Sequence, residues 1–187
     1  MFTEDETFEK IDYTKKSLAR GEYANCTFVQ CNFSEAELSH LVFSECEFRD
    51  CNLSLAKLNK TAFKDVRFNG CKLLGLHFEH CSEFLLTLDF EHCTLNLSSF
   101  YKLKLKKTRF KNCSLHEVDF SETDLSSSVF DDCDLARATF EQSILEKVDF
   151  RNAYNYSLDP ELNRLKKAKF SVAGVAGLLQ KYDIEIQ

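Results

Sequence analysis

Tryptophan is absent from this chain of 187 residues, and proline occurs once, at Pro160. The five glycines, Gly21, Gly70, Gly75, Gly174 and Gly177, are too scattered to build a phosphate-cradling loop. No apolar run reaches the roughly 18 residues of a membrane-spanning helix. Met1 is followed by Glu4, Asp5 and Glu6, unlike the basic start of a secretory signal. The expectation is a cytoplasmic, single-domain protein without a membrane partner. A basic excess is also missing. Thirty acidic residues against 24 basic ones give a net charge of −6, which argues against direct nucleic-acid binding and for a basic partner.

What the chain has is a period. Phe, Leu or Tyr stands at every fifth position from Phe8 to Phe78, and again from Leu85 to Phe150. Neither an α-helix nor an ordinary strand has a period of five, so this is an internal repeat. Around each centre, the residue two before it is mostly Cys, Ala, Val, Leu, Ser or Thr, and the other three are mostly polar. Two inward and three outward residues suit one side of a square coil, with twenty residues to the turn. Phe8, Phe28, Phe48 and Phe68 are twenty apart, as are Phe90, Phe110, Phe130 and Phe150. The step from Phe68 to Phe90 is twenty-two, which places a two-residue insertion within 79–84. Cys31, Cys51, Cys71, Cys93, Cys113 and Cys133 form a second column that spans the same insertion.

The nine cysteines keep this register. Residues two apart in an extended segment share a face, so the thiols point inward with the aromatic centres and act as small hydrophobes. Neither the spacing of a zinc site nor a disulfide framework is expected. No cofactor is expected either. Histidines fall at outward positions, and no register brings a nucleophile to a base, so the chain reads as non-enzymatic.

Cys-Asn-Phe at 31–33, Cys-Asn-Leu at 51–53, Thr-Asp-Leu at 123–125 and Cys-Asp-Leu at 133–135 resemble the A(D/N)LXX pattern of the pentapeptide-repeat family. That resemblance implies an all-β solenoid, a right-handed quadrilateral parallel β-helix. Coils about 4.8 Å apart make roughly eight turns and a rod of about 40 Å. Residues 1–170 are assigned to this coil, with Met1 to Thr7 as the only N-terminal cap material. Residues 171–187 are assigned to a C-terminal helix capped by Ser171, followed by a short strand at Asp183 to Gln187.

The ending, with Asp159-Pro160 in a distorted last coil, is similar to that of the topoisomerase-protecting branch of the family, the Qnr, MfpA and microcin-immunity types. The resemblance implies a homodimer joined end to end through Val172, Val175, Leu179, Tyr182, Ile184 and Ile186. It also implies DNA mimicry toward type II topoisomerase, DNA gyrase or topoisomerase IV, with protection from quinolones or peptide toxins. Charge singles out the surface: Glu117, Asp119, Glu122, Asp124, Asp131, Asp132, Asp134 and Glu141 lie in a strongly acidic third. It follows a basic belt, Lys102, Lys104, Lys106, Lys107, Arg109 and Lys111. The chain departs from the loop-bearing Qnr type in having only the two-residue insertion. The competing reading is a structural or protein-interaction scaffold with another protein partner.

Overall fold

The computed structural model describes residues 1–185. Every repeat forms one side of a right-handed, four-sided coil, and successive coils stack in parallel. The first side carries strands β2 (Thr7–Glu9), β4 (Thr27–Val29), β6 (Glu47–Arg49), β8 (Val66–Asn69), β9 (Leu88–Glu91), β10 (Arg109–Lys111) and β11 (Val129–Asp131). The fourth side carries β1 (Phe2–Glu4), β3 (Glu22–Ala24), β5 (Val42–Ser44) and β7 (Ala62–Lys64). The second and third sides are ladders of isolated parallel bridges, such as Asn32↔Asn52↔Lys72 and Ser99↔Asp119↔Thr139. Met1 to Thr7 is not a separate cap. It forms β1 and opens β2, leaving Phe2 exposed at a strand edge.

The column from Phe8 through Phe28, Phe48, Phe68, Phe90, Phe110, Phe130 and Phe150 to Phe170 is a continuous stack of rings. Centroids lie 4.8 Å apart at Phe28–Phe48 and 5.5 Å apart at Phe68–Phe90, across the insertion. A second aromatic column, Phe78, Phe100, Phe120 and Phe140, meets the first edge-on. Each buried ring contributes about 1.5–3 kcal/mol by transfer, so the coils are held chiefly by this core.

The position two before each centre does more than fill space. Where it is Cys, Ser or Thr, its side chain in most coils reaches back to the carbonyl of a centre in the previous coil. Cys51 Sγ donates to Phe28 O at 3.3 Å, and Cys133 Sγ to Phe110 O at 3.3 Å. Thr123 and Ser143 make the same bond to Phe100 O and Phe120 O, each at 2.8 Å. That is why the position accepts Cys, Ser and Thr alike: each is small and carries a donor that is satisfied by a buried carbonyl, which takes it as a second partner beside a backbone N–H, as Phe100 O does with Leu103 N–H. All nine cysteines are free and buried.

The insertion overlaps the end of the predicted segment 79–84. Ser82 N–H still donates to Thr61 O (2.8 Å) in normal register, and Val66 N–H donates to Thr87 O (3.0 Å) two residues out. The surplus residues therefore fall between Ser82 and Thr87. Leu85, expected as an inward centre, is 61% exposed with φ +59°, and Leu86 packs partly against the core instead. The cause is chain length: two extra residues lift the segment off the side before Leu88 re-enters.

The C-terminus also departs from expectation. Continued past Phe150, the period of five falls on Asn155 and Pro160, which are exposed, whereas Tyr156 and Leu158 turn inward. Residues Ala173–Leu178 and Gln180–Tyr182 are 3₁₀ turns, not an α-helix. Gly174 and Gly177 lie flat on Tyr156, and a Cβ on Gly174 would come within 2.1 Å of the Tyr156 hydroxyl. Two glycines weaken helix propensity and permit this close approach. Ser171 Oγ does accept the Gly174 N–H at 3.1 Å. Ile184 lies in no strand, and Ile186 is outside the described residues.

Candidate partner-binding surface

The coil decides where each carboxylate points, because residues next to one another in sequence turn onto different sides. Asp131 ends β11 on the first side, and Asp132 occupies the left-handed corner beyond it (φ +51°). Asp134 lies in the second-side ladder, bridged to Ser114 and Tyr154. Glu117 takes the corner between the second and third sides (φ +56°). Asp119 lies in the third-side ladder, and the Glu122 N–H donates to the Glu141 carbonyl at 2.7 Å, which places those two in adjacent coils. Seven of the eight predicted carboxylates therefore wrap one continuous surface, from the end of the first side across the second and third sides. Asp124 alone is excluded. It lies in the fourth-side ladder between Lys104 and Ile144.

Neighbouring coils neutralise part of this surface. His116 Nε2 lies 2.8 Å from Asp134, Arg137 3.2 Å from Glu117 and Lys102 3.5 Å from Glu122. Tyr101 OH also donates to Glu122 at 2.9 Å. Burial works against ionisation of Asp134, but hydrogen bonds from Asn155 and His116 outweigh it and hold its pKa below the ordinary carboxylate value. Asp119, Asp131, Asp132 and Glu141 have no ion-pair partner among the described residues. Asp119 instead accepts the Ser121 N–H (2.8 Å), and Asp131 accepts Asn152 Nδ2 (2.8 Å).

At the predicted dimer seam, Val172 is 96% exposed, and Val175, Tyr182 and Ile184 are exposed as well. Leu179 is half-buried. Lys181 ties this end to the last coil through Asp159 and Glu161, each at 2.7 Å.

Read in chain order, the sequence hides a second charged surface. Lys104, Lys106, Lys107, Lys147, Arg164, Lys166 and Lys167 all fall on the fourth side or its corner. Folding the sequence on its twenty-residue period brings them together.

A family model described as pentapeptide repeat region matches residues 16–84 and 85–154, dividing at the insertion. The chain belongs to the pentapeptide-repeat family. Among solved structures, two trypsin-treated variants of QnrB1, a plasmid-mediated fluoroquinolone resistance protein, superpose with TM-scores of 0.66 and 0.64 at 17% identity. The match covers 99% of both chains in the first case and 100% in the second. HetL, a pentapeptide repeat protein involved in heterocyst differentiation regulation from the cyanobacterium Nostoc, aligns at 18% identity over 89% of this chain and 86% of its own, with a TM-score of 0.46. A comparison with curated protein sequences finds no match. Among the described residues, no helix is long and apolar enough to cross a membrane.

Proposed function

We propose that this pentapeptide-repeat protein is a non-enzymatic binding protein that presents its acidic wrap to the DNA-binding groove of a type II topoisomerase, DNA gyrase or topoisomerase IV. The observation that carries the reading is the charge spacing. Seven carboxylates, Glu117, Asp119, Glu122, Asp131, Asp132, Asp134 and Glu141, fall within two adjacent coils. At about 4.8 Å per coil that is about one per 1.4 Å of axis, before pairing, against about one phosphate charge per 1.7 Å of duplex DNA. A rod of this charge competes electrostatically for a groove built to hold DNA. The fold shared with QnrB1 supports the reading at the level of architecture.

In this account the exposed Val172, Val175, Tyr182 and Ile184, with Leu179, join two copies end to end. The dimer doubles the length of the acidic rod, and the protein works in the cytoplasm. The partial neutralisation of Glu117, Glu122 and Asp134 favours the second reading, a scaffold for a different protein partner. A gyrase supercoiling assay with and without ciprofloxacin separates them. The proposal expects the purified protein to restore supercoiling in the presence of drug. A protein without effect on the enzyme at any concentration is a scaffold for something else.

A further inference from the structure

The fourth side of the rod reverses its character along its length. Lys104, Asp124, Ile144 and Arg164 form one bridged column in its C-terminal half. Lys107, Lys147 and Lys167 mark the left-handed corner beside it, with φ of +62°, +59° and +60°. Lys106, Glu146 and Lys166 lie between column and corner. Seven cations thus face two carboxylates, Asp124 and Glu146, both half-buried. Only Lys106 is engaged, with Asp124 at 3.1 Å. Lys104, Lys107, Lys147, Arg164, Lys166 and Lys167 are exposed, and none has an ion-pair partner among the described residues. Their rows recur every one or two coils, about 5–10 Å apart.

The insertion lies on this same side. Its backbone crosses over β7, through the bonds from Ser82 to Thr61 and from Thr87 to Phe63 (3.2 Å), one coil before Lys104. At its turn Phe84 and Leu85 are 72% and 61% exposed. Two adjacent apolar side chains held in water have no part in the core. They also add nothing to a contact made by phosphates alone.

We propose that the fourth side, from Phe84 to Lys167, docks on an anionic lipid surface. Phe84 and Leu85 enter the interface between headgroups and acyl chains, and the free lysines and Arg164 meet the headgroup phosphates and carboxylates. Stable peripheral attachment needs two signals, an apolar anchor and a basic patch, and this side supplies both. A side of a β-helix is a flat face suited to a planar surface. The acidic wrap covers the second and third sides and stays free for a basic partner.

The test is flotation of the full-length protein with vesicles of phosphatidylcholine, with or without phosphatidylglycerol. The expected result is co-flotation with the anionic vesicles only, lost at about 0.5 M salt, where screening confines charge interactions to a few ångströms. Lys104→Glu with Lys107→Glu and Lys147→Glu should abolish it. Phe84→Ser with Leu85→Ser should weaken it at least tenfold. All five positions are exposed, so both variants should keep the parent far-UV spectrum and Tm. Absence of flotation at low salt overturns the proposal. So does flotation that the Phe84/Leu85 variant leaves unchanged, because the face would then be a plain polyanion site. Binding to duplex DNA but not to vesicles also overturns it.

Discussion

Lys106 Nζ lies 3.1 Å from Asp124 Oδ2, joining the basic belt to the first coil of the acidic third on the fourth side of the rod. Burial raises the pKa of Asp124, but hydrogen bonds from Ser126 and Lys106 outweigh that effect and hold it below the ordinary value. The pair marks where the two charged surfaces part company. Beyond it Asp132, Asp134 and Glu141 lie from the first corner across the second and third sides, while cations outnumber Glu146 on the fourth.

Acid should destabilise the coil in a defined window. Asp149 is held low by Arg151, and Asp124 and Asp134 are lowered as well. These carboxylates bind protons less readily in the native state, so their stabilisation is complete above the unfolded value of about 3.9 and is lost as pH falls through the native values. Thermal unfolding should be flat between about pH 5 and 7 with respect to these groups and should decline below about pH 4. Asp149→Asn should flatten the decline. A Tm that rose on acidification would contradict the assignment.

The cysteine ladder should tolerate serine better than alanine. Cys71 Sγ donates to Phe48 O at 3.3 Å, and Ser128 Oγ holds the equivalent bond to Leu105 O at 2.8 Å. Cys71→Ser keeps a donor, whereas Cys71→Ala leaves a small cavity and loses the side-chain bond to Phe48 O. The alanine variant should be the less stable by about 1–2 kcal/mol. The reverse order in denaturant melts would reduce the ladder to simple packing. Burial also pushes the Cys46 thiol up to about 11, so native labelling at pH 8 should be slow.

Removing Ser82 and Glu83 together should restore a twenty-residue coil. The chain would then read Cys81-Phe84-Leu85, placing Leu85 inward above Phe63. That variant should fold with an unchanged or higher Tm. Removing Glu83 alone leaves one surplus residue and turns inward side chains outward, so its solubility should fall. Equal behaviour of the two deletions would contradict the column register.

Gly177→Ala should undock the C-terminal turns, because its Cβ would lie 2.4 Å from the Tyr156 carbonyl oxygen. If those turns form the dimer seam, light scattering should show a shift from dimer to monomer while the coil keeps its far-UV spectrum. A variant that remained dimeric would locate the seam elsewhere, and a monomeric parent protein would remove it.

The period of five, the twenty-residue coil and the length of the insertion were legible because two independent columns had to agree on them. Which residues bulge was not legible, since either run of centres can yield the surplus pair, and Leu85 looked like a centre. The helix failed for a local reason: Val172, Val175, Leu179 and Tyr182 have helical spacing, but Gly174 and Gly177 fit the backbone against Tyr156. The acidic residues are plain in the sequence, but their sidedness is not, because it depends on position around the coil rather than along the chain. Only that folding separates Asp124 from its neighbours and gathers Lys104, Lys147 and Arg164.

The most direct test of the acidic wrap as a docking surface is the affinity for DNA gyrase of a variant carrying Asp131→Lys, Asp132→Lys and Asp134→Lys. All three positions are on the surface of the coil, and the buried centres are untouched, so the variant should fold, with Tm lowered only modestly, by the loss of the Asp134 bonds from His116 and Asn155. The account predicts that the parent protein binds gyrase in a salt-sensitive manner and that the reversal weakens binding at least tenfold. The matched reversal of Lys104 and Lys107 on the fourth side should leave binding unchanged. Undiminished binding by the acidic-reversal variant, or no binding by the parent protein, would contradict it.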